Sequence, residues 1–237
     1  MVVMVAWEAA PLGKGRLLKT TVRLVKEAMK KASVNPKDVA MIVHSGVYRQ
    51  HFRTEPAFAT HIQGSLDIKC TTLNQTSSHC FAFDVSDGSC SPHVALDAIG
   101  DLLPQLPGKY AILSSGDERP NKQTEWLHEP HCFVAIVALE GDGPCLKRIR
   151  SDDAELSLDR VTKTHFDSAK KANISQEYGS FTPLEMKESG DLFSGDQTWL
   201  SGRNMHEFHQ WLHGKEGSFV HRIIDRTGKS TSAHWER

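Results

Sequence analysis

The chain has 237 residues, 28 Lys and Arg against 29 Asp and Glu, a formal net charge of −1 and 39% hydrophobic residues. That length suits one large domain or two small ones and a sizeable core. The balanced charge argues against a nucleic-acid protein, and 24% charged residues with ordinary Gly and Pro counts exclude wholesale disorder. The longest apolar run, Cys132–Leu139, is far short of the ~20 residues a membrane span needs. Met1–Trp7 lacks the basic start and long apolar region of a signal peptide. Together these features predict a soluble, cytoplasmic protein.

In chain order, Leu18, Val22, Val25, Met29 and Ala32 recur at spacings of four and three, the stripe of an amphipathic helix that Asn35-Pro36 is expected to end. Val39–Val43 predicts a short buried strand, and Glu55-Pro56 opens a second helix to about Leu66. Phe81–Val85 predicts a strand and Pro92–Leu103 a helix. Lys109–Ser114, Cys132–Leu139 and Cys145–Ile149 follow as strands. Strands alternating with helices imply an α/β fold with a largely parallel sheet. From Ser151 to about Gly195 the pattern weakens into a polar excursion. A helix over Arg203–Leu212 and a strand over Phe219–Asp225 then echo the unit Val22–Val43. The echo hints at two similar halves, 1–150 and 151–237.

Cysteine and histidine are the candidate ligands. Five cysteines (Cys70, Cys80, Cys90, Cys132, Cys145) form no C-x-x-C pair, which speaks against a disulfide framework or a structural zinc site. Thirteen histidines include His128/His131 and the set His206/His209/His213, spaced i, i+3 and i+7 on one helix face. The H-E-x-x-H arrangement is absent, so that set reads as a half-buried or solvated helix face. No metal is expected.

Phe83–Leu96 (FDVSDGSCSPHVAL) resembles the nucleophile segment F-D-[LV]-x-x-x-C-S-G-x-x-x-A-L of the ketoacyl-ACP synthase III branch of the thiolase superfamily. Glu55–Ile68, Lys109–Asp117 and Ile224–Ala233 (IDRTGKSTSA) are similar, in order, to that family's helix P-[SA]-x-A-x-x-[IV]-Q-x-x-L-G-I, its strand L-[LV]-V-x-[SG]-[SA]-[DE] and its loop D-R-x-G-N-T-S-A. The resemblance covers roughly half of the chain. It implies a layered αβαβα thiolase-like fold, here shortened at both ends, with the N-terminal strand and the closing elements after Ile224–Ala233 missing. It also implies dimerisation through the Lys109–Ser114 strand.

The same resemblance implies a Cys-His-Asn set that loads an acyl group and stabilises an enolate. A cysteine at a helix N-terminus is favoured as thiolate, and His and Asn act as oxyanion donors. Ungapped alignment puts Ser89 at the nucleophile position, with Cys90 next. Lys229 replaces the asparagine; it would stabilise an oxyanion, contact coenzyme A phosphates, or lie solvated in its loop. The histidine position falls near Trp199–Arg203, which holds none, and His206 and His209 are the nearest. A serine nucleophile needs a base, for which His93 and His79 are candidates. Ser89 and Cys90 read equally as the turn and N-cap that begin the helix.

Two functions follow. One is an acyltransferase of fatty-acid, polyketide or related metabolism, taking acyl-CoA or acyl carrier protein as substrate and holding no cofactor. The other is a non-catalytic subunit paired with an active ketosynthase III homologue. In such a subunit of the alkylquinolone-forming members the turn reads F-D-L-T-D-S-S, close to Phe83–Ser89 (FDVSDGS).

Overall fold

The computed structural model describes residues 1–13, 15–48, 56–68, 79–118, 130–152, 191–195, 200–225 and 229–237. Glu55, Cys70, His128, Trp199, Arg226–Gly228 and most of Ser151–Gly195 lie outside the described residues. The elements run β1 (Val2–Pro11), α1 (Leu17–Lys31), β2 (Val39–Ser45), α2 (Phe58–Leu66), β3 (Phe81–Val85), α3 (Ser91–Leu102), β4 (Tyr110–Gly116) and β5 (His131–Ala138). The second part adds β6 (Cys145–Asp152), β7 (Asp191–Ser194), α4 (Ser201–Trp211), β8 (Ser218–Ile224) and β9 (Ser230–Glu236).

The described strands form one sheet in the order β3-β2-β4-β5-β1-β6-β9-β8-β7. Parallel pairing is confined to β2–β3, β2–β4 and β7–β8. The pairs β1–β5, β1–β6, β4–β5, β6–β9 and β8–β9 are antiparallel. The sheet is therefore mixed rather than largely parallel. Antiparallel neighbours such as β4–β5 and β8–β9 need no crossover helix, which is what separates them from the parallel pairs.

The pairing repeats itself. In the first half β2 runs parallel to β4, β4 antiparallel to β5, and β5 antiparallel to β1. In the second, β7, β8, β9 and β6 stand in the same relations. The helix–strand unit α4–β8 is thus the counterpart of α3–β4, not of α1–β2 as the sequence echo suggests. β1, expected to be missing, is a ten-residue strand at the middle of the sheet. Its period-two signal is hidden because Val2, Val3 and Met4 are buried on both faces. Likewise the residues after Lys229 close the second half as β9, just as β5 closes the first. Among the described residues the second half has four strands to the first half's five, and the difference lies between β7 and β8.

Two cores result. Leu17, Leu24, Val25 and Met29 of α1 and Phe58, Ala59 and Ile62 of α2 pack with Ile42, Ile112, Val134 and Ile136 on one face of the first half. On the other face α3 and α4 share a core with residues from both halves, among them Met41, Leu113, Phe133, Phe219, Ile223 and Trp235. The layers are α1/α2, first half-sheet, α3/α4, second half-sheet. Burial on both faces explains the unbroken apolar runs of β2 and β5. β4 lies inside the sheet between β2 and β5, so it has no free edge to pair across subunits, contrary to the expectation for Lys109–Ser114. The first half's outer edge is β3.

α1 stops at Lys31, short of Asn35-Pro36. The Ala32 N–H closes on Ala28 O and Ser33 turns left-handed at φ 54, so the helix has already unwound where proline would break it. Among the described residues no helix is long and apolar enough to cross a membrane.

Candidate functional site

The segment between β3 and α3 is a tight turn: the Cys90 N–H donates to Asp87 O at 3.1 Å, and Gly88 takes φ +53. Ser91 Oγ accepts from the Asp87 N–H (2.7 Å) and donates to Gly88 O (2.6 Å). Cys90 is the N-cap of α3, with Pro92 in the first turn. Its side chain makes no cap bond, and neither do the N-caps of α2 and α4.

The exposed N–H groups of these helices are met instead by carboxylates from strand ends. Asp84 on β3 accepts from the Phe58 and Ala59 N–H groups (2.7 and 2.9 Å), opening α2. Asp225, immediately after β8, accepts from the Ser89 N–H at 2.7 Å, just ahead of α3. Asp117, immediately after β4, accepts from Ser201 Oγ (2.6 Å) and the Gly202 N–H (2.9 Å) at the start of α4. Asp117 also accepts from the Val47 and Tyr48 N–H groups (2.6 and 3.0 Å). Asp117 of the first half thus caps α4, and Asp225 of the second half holds the turn that leads into α3.

Ser89, Cys90 and Lys229 come together, as the sequence proposes. Ser89 and Cys90 are buried. The Cys90 thiol lies 3.9 Å from Ile223 O and from Lys229 O. Burial is the main cause pushing it up to about 12; Asp225 and Asp87 add to the rise, while Thr231 and Lys229 oppose it. Lys229 is half-buried and paired: its Nζ bonds Asp87 Oδ2 at 2.8 Å, and its carbonyl closes the turn by accepting from the Asp225 N–H at 2.8 Å.

His93 and His221 are fully buried. His93 Nδ1 bonds Thr231 Oγ1 (2.8 Å) and its Nε2 bonds His221 Nδ1 (3.1 Å), so both ring nitrogens are engaged. His221 stacks on Phe208, centroids 4.0 Å apart. Burial lowers His93 to about 3 and His221 well below its ordinary value, so both are neutral near pH 7. His79 is exposed.

His206 and His209 lie elsewhere. His206 packs on His131 at the start of β5, ring centroids 4.4 Å apart, and burial and that neighbour lower it. His209 packs on His213 at 5.1 Å; burial first, then His213 and His206, bring it down to about 4. Among the described residues no group of three or more His, Cys, Asp or Glu is placed to hold a metal ion.

Acyl transfer through this turn needs a thiolate or activated hydroxyl, a base, and N–H donors for the developing oxyanion. Here the thiol is held protonated, the nearest buried imidazole is engaged, and the Ser89 N–H already bonds a carboxylate. The turn tolerates little change. A Cβ on Gly88 would lie 2.2 Å from Asp225 Oδ2 at a backbone angle L side chains rarely adopt. Gly88→Ala is therefore expected to cost about 2–3 kcal/mol in a urea titration. A change under about 0.5 kcal/mol would mean that the Asp225 contact is not closely fitted.

No family model matches the sequence, and no curated protein sequence matches it. The structure, however, superposes on AbyA1, a tetronic acid condensing enzyme, with a TM-score of 0.68 at 11% identity, covering 99% of this chain and 100% of that one. ChlB3, described as an acyltransferase, gives 0.66 at 11%, covering 99% and 97%. OleA of Xanthomonas campestris, in a cysteine-to-serine variant with bound lauric acid and lauroyl-CoA, gives 0.66 at 12%, covering 100% and 99%. The fold is thiolase-like. At such identities the likeness establishes the fold alone.

Within this thiolase-like fold the sequence points to the turn before α3 and to Lys229, which lie together, but misses Asp117, the partnership of His93 with His221, and the hold of Asp225 on the turn. The available signal is an acidic residue directly after a buried strand, in SSGD117 and HRIID225.

Proposed function

We propose that this chain is a non-catalytic thiolase-like subunit that pairs with an active ketosynthase III homologue in acyl-CoA or acyl-carrier metabolism. The observation that carries the reading is the Asp225 carboxylate on the Ser89 N–H beside the protonated Cys90. A carboxylate fixed where an oxyanion would be stabilised repels the charge that acyl transfer develops there. In this reading the chain acts in the cytoplasm and holds no cofactor of its own.

Pairing is assigned to the β3 edge. Phe81 is 50% exposed there, and its ring lies 5.0 Å from that of the half-buried Phe83. An apolar edge strand is a ready surface for a second sheet. The names of AbyA1, ChlB3 and OleA support the acyl-condensing setting.

Incubation with a panel of acyl-CoA thioesters is expected to leave the intact mass unchanged. Iodoacetamide at pH 7.5 is expected to modify Cys90 only after unfolding, because a thiol near 12 is roughly 10⁻⁴ to 10⁻⁵ ionised there. A longer thiolase-like homologue should co-purify with the tagged chain, and less of it with Phe81→Lys. The placement of Ser89 and Cys90 at the start of α3 favours the acyltransferase as second reading. An acyl adduct lost in Ser89→Ala or Cys90→Ala would establish that reading and overturn the first.

A further inference from the structure

The near-zero net charge conceals a segregated patch. Arg16, Lys19, Arg23, Lys26 and Lys30 recur at spacings of three and four along α1, and all are exposed. At 100° per residue they fall within about 80° of arc, and fourteen residues of helix span about 21 Å. The opposite side of α1 is buried in the outer core through Leu17, Leu24, Val25, Ala28 and Met29.

The arrangement works against the helix. Four successive neighbours at i, i+3 or i, i+4 carry like charge, which is unfavourable, and Arg16 and Lys19 sit at the positive end of the dipole. The first turn holds no acidic residue. Glu27, the one acid on α1, pairs with Arg23 at 2.8 Å. Among the described residues Arg16, Lys19, Lys26 and Lys30 make no ion pair. An ordinary solvated face intersperses both signs.

We infer that the α1 stripe is a docking surface for an acidic helix of a partner protein, with acyl carrier proteins as the class that the proposed function brings to this chain. Five cations in a straight line match acidic residues at helical spacing on a partner. Anionic lipid fits less well, because the apolar side of α1 is buried and cannot enter a bilayer. A nucleic-acid backbone calls for a broader basic field than one helix face in a chain of charge −1. The inference rests on the reading that the chain serves carrier-bound acyl groups.

The test is titration of the full chain with a purified acyl carrier protein in 50 and 300 mM NaCl. A triple variant, Lys19→Gln, Lys26→Gln and Lys30→Gln, and its Lys→Arg counterpart run alongside. Support is binding that weakens at least tenfold in the Gln variant and in high salt but survives in the Arg variant. Equal binding by wild type and Gln variant would overturn the inference, as would absence of carrier binding. Stripe-dependent capture of vesicles of 30% phosphatidylglycerol, or of duplex DNA, in place of the carrier would overturn it too. Failure here leaves the acyl-CoA mass result untouched, whereas an acyl adduct would sink the non-catalytic reading and leave the stripe standing.

Discussion

Replacing Asp117 by alanine is expected to destabilise the fold by about 3–5 kcal/mol, because one buried carboxylate there accepts from four donors. Three of these are backbone N–H groups and the fourth is the buried Ser201 hydroxyl, so none regains water easily when the acceptor goes. The crowding is tight. A Cβ on Gly202 would lie 2.3 Å from His131 O, so α4 cannot slide to find another cap. In a chain of this size the loss is a fall of roughly 10 °C in the unfolding midpoint. Calorimetry on Asp117→Ala and Asp117→Asn checks it. Asparagine keeps one acceptor oxygen and should cost about half as much. A loss below about 1 kcal/mol in the alanine variant would show that the four bonds are not jointly needed.

Acid is expected to unfold the protein through His93 and His221. Their ordinary value is 6.5, and in the fold burial takes His93 to about 3 and His221 well below 6.5. Between those limits the unfolded chain binds protons that the folded chain refuses, so stability falls as pH drops below about 6.5. Each histidine contributes about 1.4 kcal/mol per pH unit once it is charged in the unfolded chain only. From pH 7 to pH 5 His93 should remove about 2 kcal/mol, and His221 adds to the loss in the same direction. Urea midpoints at pH 7, 6 and 5 measure the slope, and His221→Gln should reduce it. A flat profile, or a slope indifferent to that variant, would mean that the imidazoles take up protons without unfolding.

Local pattern makes much of this fold legible. The apolar stripe of α1 and the runs of β2 and β5 are each set by what one short segment must bury, and each lies close to its expected place. β1 is not legible, because a strand buried on both faces near the chain start shows no alternation. The parallel–antiparallel order depends on which strand ends meet, which neither propensity nor period carries. At the site, the turn Asp87–Cys90 is local and its residues announce it. The caps are not. Helix N-termini are ordinarily sought in a Ser, Thr, Asp or Asn at the cap itself, yet here Ala57, Cys90 and Leu200 occupy those positions. The oxygens that complete them come from residues 25 to 136 positions away. Distance in sequence also hides the setting of Cys90: burial holds its thiol protonated, and Asp225, which adds to that, and Thr231 and Lys229, which oppose it, belong to the far end of the chain.

The exchange of carboxylates between Asp117 and Asp225 has a consequence for the folding of the chain. Asp117 completes the start of α4 and Asp225 fixes the turn before α3, so each half steadies the entry to the other's central helix. Opening either half releases a carboxylate contact made to the other, so the stabilities of the two are coupled. A change after β4 is felt in α4, and a change after β8 is felt in the turn before α3. The site turn is thereby held by both halves of the chain at once.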